Sequence, residues 1–183
     1  MFAGWQTFYQ MTGGAAATLT GLLFIVVSLM AGRQSGPTQQ GVALFTTPTM
    51  FHLVSVLVIS GLALAPEKDG AAQCLIMIAW AIGGLAYSLT RAAGIRGMTV
   101  IPHWTDIWWY GVGPTAVYLA LAGATATAWL RAPHGVYLLS LCVTALLVLT
   151  IRNAWDLVTW LAPRRDDMFG PAQDQTSEDE TGS

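Results

Sequence analysis

Residues Gly13 to Gly32 read GGAAATLTGLLFIVVSLMAG, 20 residues without a charged side chain. At 1.5 Å per residue a helix of that length covers about 30 Å, the thickness of a bilayer's hydrocarbon core. Inside that core every backbone N–H and C=O must find a partner within the segment, which a helix provides. The stretch is therefore a transmembrane helix, and the remainder of the chain has to be compatible with a membrane. Gly13, Ala17 and Gly21 recur every fourth residue and predict a strip of small side chains where another helix can approach closely. Leu22, Phe24, Ile25, Val26 and Leu29 supply the bulk that suits lipid or an apolar neighbour.

The composition agrees. The chain has 183 residues, of which 54% are apolar and 10% charged, with a mean hydropathy of +0.54. This lies well outside the balance of soluble domains. The formal charge of -2 arises at the end of the chain, where Asp166, Asp167, Asp174, Glu178, Asp179 and Glu180 are gathered. The few cations are scattered between apolar segments and form no basic patch, which argues against a nucleic-acid partner. Cys74 and Cys142 are too few for a disulfide framework and read as small apolar residues. No Lys or Arg precedes the first apolar run and no A-x-A-like site follows it, so a cleaved signal peptide is not expected.

Further spans follow in order. Met1 to Thr12 places Phe2, Trp5, Phe8 and Tyr9 among polar residues, as an aromatic segment at the membrane surface would, leading into the first span. Arg33 to Val42, RQSGPTQQGV, reads as a loop. The second span is expected at about 44–65, with Pro48 near its start, and Pro66 to Gly70 is a polar turn. The third, about 71–93, carries Gly83-Gly84 in its middle, where close packing or a bend is expected. Gly94 to Ile107 is the longest internal connection, and its His103, Trp104 and Asp106 stand in interfacial aromatic sequence. The fourth span, about 108–130, repeats the small-residue device at Ala116, Ala120, Ala124 and Ala128 and reads as the partner of the first. The fifth covers about 135–151, with helix continuing to 162, where Pro163 ends it. Residues 163–183 form an acidic tail rich in Pro, Gly, Ser and Thr that cannot bury enough surface to fold. The reading is an all-α integral membrane bundle of five transmembrane helices over residues 1–162, followed by a disordered tail.

An odd number of spans puts the termini on opposite sides. With the N-terminus outside, Arg33, Arg91, Arg96, Arg164 and Arg165 fall inside, against Lys68 and Arg131 outside. The positive-inside rule selects that orientation, which makes the tail cytoplasmic.

Polar residues within spans are costly and therefore informative. In Arg152 to Leu161, RNAWDLVTWL, helical spacing places Arg152, Asn153, Asp156 and Thr159 on one side. Two arrangements fit this pattern. In one, the helix end emerges at the interface, Arg152 snorkels, and Trp155 and Trp160 anchor it. In the other, Arg152 and Asp156 at i,i+4 form a partly buried pair facing the bundle. His52 is the one histidine inside a predicted span, a turn from Thr49 and three residues before Ser55. The orientation sets it on the same half of the bundle as Arg91, Arg152, Asn153 and Asp156, and these five residues are the candidate polar cluster. The bland alternative for His52 is a single hydrogen bond to a neighbouring helix. His52, His103 and His134 lie on different segments without a second ligand at metal-binding spacing, so no metal is expected. No phosphate-binding glycine loop, G-x-S-x-G turn or pair of carboxylates within a span occurs, and neither an enzyme nor a cofactor is expected.

Gly14-Ala15-Ala16-Ala17, Leu19 to Phe24, Ser28 and Asn153-Ala154-Trp155 together resemble small bacterial membrane proteins labelled "modulator of FtsH protease". The resemblance covers about a fifth of the chain; it implies a bacterial inner membrane and assigns no catalytic residue. The functional expectation is a non-catalytic accessory or regulatory inner-membrane protein, in contact with the lipid bilayer and with a membrane-protein partner or further copies of itself. The alternative is a small oligomeric channel or transporter with a polar cluster on its cytoplasmic side.

Overall fold

The computed structural model describes residues 2–31, 38–66, 70–96 and 108–161, and every regular element among them is helical. Helix α1 spans Gln6–Ala31, α2 Thr38–Leu64 and α3 Ala71–Arg96. A π-helical turn, Trp108–Val112, then runs directly into α4, Gly113–Trp129, and α5 spans Gly135–Leu161. Four of these are long and apolar enough to cross a membrane, over Gln6–Leu29, Thr47–Leu64, Ala71–Ala93 and Gly135–Asp156. The protein is thus membrane-embedded. Helix α4, with 17 residues, is shorter than the other four. The expected acidic tail and the connection holding His103, Trp104 and Asp106 lie outside the described residues.

Helix α1 packs along α2 and touches α5 over a smaller area, while α4 lies between α3 and α5, and α2 also packs on α5. The first and fourth spans are therefore not the principal partners that their small residues predicted. The buried side of α1 consists of Tyr9, Thr12, Gly13, Ala16 and Leu23, at the seven-residue, two-step spacing of a helix seam. Ala17 and Gly21 face outward, with nothing within 4 Å of the position a Cβ would take on Gly21. Gly13 is the close approach, since a Cβ there would stand 3.0 Å from Ser60 Cβ. In α4 the alanine strip divides in the same way, with Ala124 and Ala128 buried and Ala116 and Ala120 exposed. Leu22, Phe24, Ile25 and Leu29 are exposed as expected.

Two boundaries move outward. Helix α1 begins at Gln6, and its aromatic approach folds into the bundle: Phe2 is buried with its ring edge-on to Tyr9 at 5.6 Å, and Trp5 meets Tyr137 of α5 at 6.3 Å. Helix α2 begins at Thr38, so Thr38–Val42 is its first turn and not the end of a loop. Glutamine is a good helix former, and one glycine costs about 1 kcal/mol, too little to stop the helix.

Polar side chains are settled locally. Thr20, Thr125, Thr144 and Thr150 each donate to the carbonyl four residues earlier in their own helix, which satisfies a hydroxyl without a partner helix. Thr12 donates to Phe8 O at 3.0 Å, so the 3.1 Å contact with Ser60 takes its proton from Ser60 and ties α1 to α2. Helix α4 ends in a paired-carbonyl cap in which Arg131 N–H donates to Ala128 O and Ala132 N–H to Thr127 O. Arg131 occupies the left-handed position of this cap, at φ 57°. Gly135 then starts α5 directly against the Ala128 backbone, where no side chain would fit.

Candidate functional site

His52 is buried between helices, and its Nδ1 lies 3.0 Å from the hydroxyl of Tyr118 on α4. The Tyr118 hydroxyl donates to Ser55 Oγ at 2.8 Å, and Trp80 Nε1 of α3 donates to the same oxygen at 3.0 Å. Ser55 in turn donates to the carbonyl of Phe51 at 2.8 Å. A hydroxyl has one proton and two lone pairs, and all three are in use on Ser55. The Tyr118 proton is committed to Ser55, so His52 must be the donor to Tyr118. This places the proton of His52 on Nδ1 and leaves the lone pair on Nε2. The network joins α2, α3 and α4 in the centre of the bundle, where an unpaired polar group would be expensive.

The helices are shaped to admit Tyr118. A Cβ on Gly84 of α3 would collide with the Tyr118 ring, whereas Gly83 faces open space. The expected close packing at this glycine pair is therefore due to Gly84. An aromatic column continues toward the C-terminal end of α3: Trp80 stacks on Phe51 at 6.2 Å and 8°, and Phe51 lies 4.5 Å from Tyr87. Arg91 Nε donates to the Tyr87 hydroxyl at 3.2 Å, and its guanidinium lies 5.5 Å from the Tyr87 ring centroid.

The remaining predicted residues gather elsewhere, around the π-helical turn. Pro114 has no N–H, so it cannot pair the carbonyls four and five residues before it, those of Tyr110 and Trp109. Asn153 of α5, fully buried, turns its Nδ2 toward Trp109 O at 3.4 Å. Its Oδ1 is buried without a hydrogen-bond partner, as are Tyr9 Oη and Ser88 Oγ. Arg152 stacks over the Trp109 ring at 4.1 Å and pairs through Nη1 with Asp156 Oδ2 at 2.7 Å. The two side chains remain 37% and 39% exposed. The polar side of α5 thus divides: Asn153 points inward, while Arg152 and Asp156 lie on the flank and Thr159 is exposed. Gly111 fixes this turn against α3, because a Cβ there would stand 3.3 Å from Ala92 Cβ.

The five predicted residues thus fall into three neighbourhoods. His52 joins Tyr118, Ser55 and Trp80; Arg91 joins Tyr87; and Arg152, Asn153 and Asp156 join Trp109. Tyr118, Trp80, Tyr87 and Trp109 were not anticipated. One signal for Tyr118 was present, since a tyrosine deep in an apolar span needs a partner for its hydroxyl. No group of three His, Cys, Asp or Glu side chains among the described residues is placed to hold a metal ion. Farther along α1 and α5 from the Trp5–Tyr137 contact, an open apolar groove lies between the helices, lined by Leu22, Val26, Leu53, Ile151, Ala154 and Trp155 among others. Comparison with protein-family models, with curated proteins and with solved structures finds no match to this chain.

Proposed function

We propose that this protein is a non-catalytic accessory or regulatory component of a bacterial inner membrane, working through contact with a membrane-protein partner or with further copies of itself. The observation that carries the reading is the bareness of α1. Its apolar window is 22% buried within the bundle, against 33% to 50% for the other three long spans. A helix held on one side only presents Phe24, Ile25 and Leu29 to whatever adjoins it in the bilayer. The resemblance around Gly14–Phe24 and Asn153-Ala154-Trp155 points to the same membrane and to regulators of a membrane protease. Photo-crosslinkers placed at Phe24 and Ile25 in native membranes should join the protein to one defined partner or to itself, and one at Leu119 of α4 should not. Lipid adducts alone at all three positions would overturn the reading.

In this proposal all five helices cross the bilayer, with the N-terminus outside and the C-terminus cytoplasmic. The π-helical turn and α4 run continuously from Trp108 to Trp129, and 22 residues at 1.5 Å reach about 33 Å. Reporter fusions after Gly36, Asp69, Thr99, Pro133 and Ser183 should read in, out, in, out, in. An inside signal after Pro133 would remove the fourth crossing. One observation favours the alternative, a small oligomeric channel or transporter: Asn153 Oδ1 is an unused buried acceptor beside half-buried charges. Thiol labelling of Asn153→Cys from the aqueous phase, with solute flux in proteoliposomes, tests that alternative.

A further inference from the structure

We propose that Arg91 binds a phosphate group at the membrane surface, most directly that of a phospholipid headgroup. Arg91 stands two residues from the end of the span Ala71–Ala93, the level at which the hydrocarbon gives way to headgroups. Its guanidinium is fixed from behind. Nε is bound to the Tyr87 hydroxyl at 3.2 Å and the charge lies over the Tyr87 ring. Tyr87 is itself held by Phe51 at 4.5 Å, and the adjoining Ala92 is seated against Gly111.

The two terminal nitrogens of Arg91 have no hydrogen-bond partner and no carboxylate among the described residues. Arg152 contrasts with this, because it spends Nη1 on Asp156. A planar fork held through Nε, with both terminal nitrogens unpaired among the described residues, is the donor that a phosphate oxyanion accepts in two parallel bonds. Among the described residues no carboxylate balances the Arg91 charge, and a phosphate at the membrane surface would supply that counter-charge.

The test compares wild type with Arg91→Gln, Tyr87→Phe and Arg131→Gln. Arg131 is exposed and lies at the far end of α4 from Gly111. In the lipid arm, each protein is purified from vesicles containing phosphatidylglycerol and phosphatidylcholine, and the retained lipid is counted by native mass spectrometry. In the soluble arm, detergent-solubilised protein is melted in sodium phosphate and in sodium chloride of equal ionic strength. Wild type and Arg131→Gln should retain a phosphatidylglycerol that Arg91→Gln loses, and Tyr87→Phe should retain less of it. A phosphate-specific rise in melting temperature that depends on Arg91, without lipid retention, would assign the site to soluble phosphate. Equal behaviour of wild type and Arg91→Gln in both arms would overturn the site. If Arg91→Gln does not fold, Arg91→Lys carries the test, since it keeps the charge and loses the fork, and undiminished lipid retention would refute the geometry.

Discussion

The ring of Tyr118 occupies the space in which Gly84 would carry a side chain. Helices α3 and α4 are thereby fitted to one another in the middle of their shared contact. Gly84→Ala forces the ring or a helix to move, at about 1–3 kcal/mol for overpacking. Gly83→Ala next to it meets nothing and should be neutral or stabilising, since alanine is favoured over glycine in a helix by about 1 kcal/mol. Thermal unfolding in detergent should show a loss for Gly84→Ala and none for Gly83→Ala.

Ser55 receives two donors, from Tyr118 and Trp80. Ser55→Ala strands both, and each buried donor left unpaired costs about 1–3 kcal/mol. Tyr118→Phe removes the Ser55 donor and the acceptor of His52 together. The double substitution should be less damaging than the sum of the two, with a coupling of about 0.5–3 kcal/mol in a double-mutant cycle. Nitrogen-15 NMR of labelled protein should find the His52 proton on Nδ1, and a proton on Nε2 alone would refute the bond assignments.

Arg131 sits at φ 57° in the cap that ends α4. A residue with a Cβ pays about 1–2 kcal/mol for that conformation. Arg131→Gly should therefore stabilise the bundle, by about 0.5–1 kcal/mol after glycine's extra freedom in the unfolded chain is subtracted. A melting temperature at or below that of wild type would show that the arginine compensates through its charge.

Arg152 and Asp156 are each more than a third exposed, so solvent and headgroups screen the pair, and Asp156→Ala should change stability by about 0–1 kcal/mol. Arg152→Ala also loses the stack on Trp109 and should cost somewhat more, since cation–π contacts at exposed sites are worth about 0.5–1 kcal/mol. A loss for Asp156→Ala as large as that of a buried pair, about 3–5 kcal/mol, would mean that the flank is covered in the membrane.

Four of the spans were legible because the bilayer imposes a length and a polarity that composition records directly. The faces were harder to read. Four-residue spacing advances 400°, so Gly13 and Gly21 diverge by about 80° and cannot both lie on a straight seam. The seam instead runs through Tyr9, Thr12, Ala16 and Leu23, a mixture of sizes that no small-residue rule selects. Helical spacing puts Arg152 and Asn153 on one broad polar side, yet adjacent residues stand about 100° apart, enough to send one into the core and the other to the flank. The partner of His52 lies 66 residues away in sequence, and pairing at that distance is fixed by how the helices assemble, which no local pattern records.

The closed state of Ser55 has a consequence for charge movement. A proton can hop along a row of groups only if each member accepts on one side and releases on the other. Tyr118 meets that condition, taking from His52 and giving to Ser55. Ser55 gives to the carbonyl of Phe51, an amide oxygen with no proton to release onward. The row therefore ends at a carbonyl inside α2, and these four hydrogen bonds by themselves offer a proton no onward step.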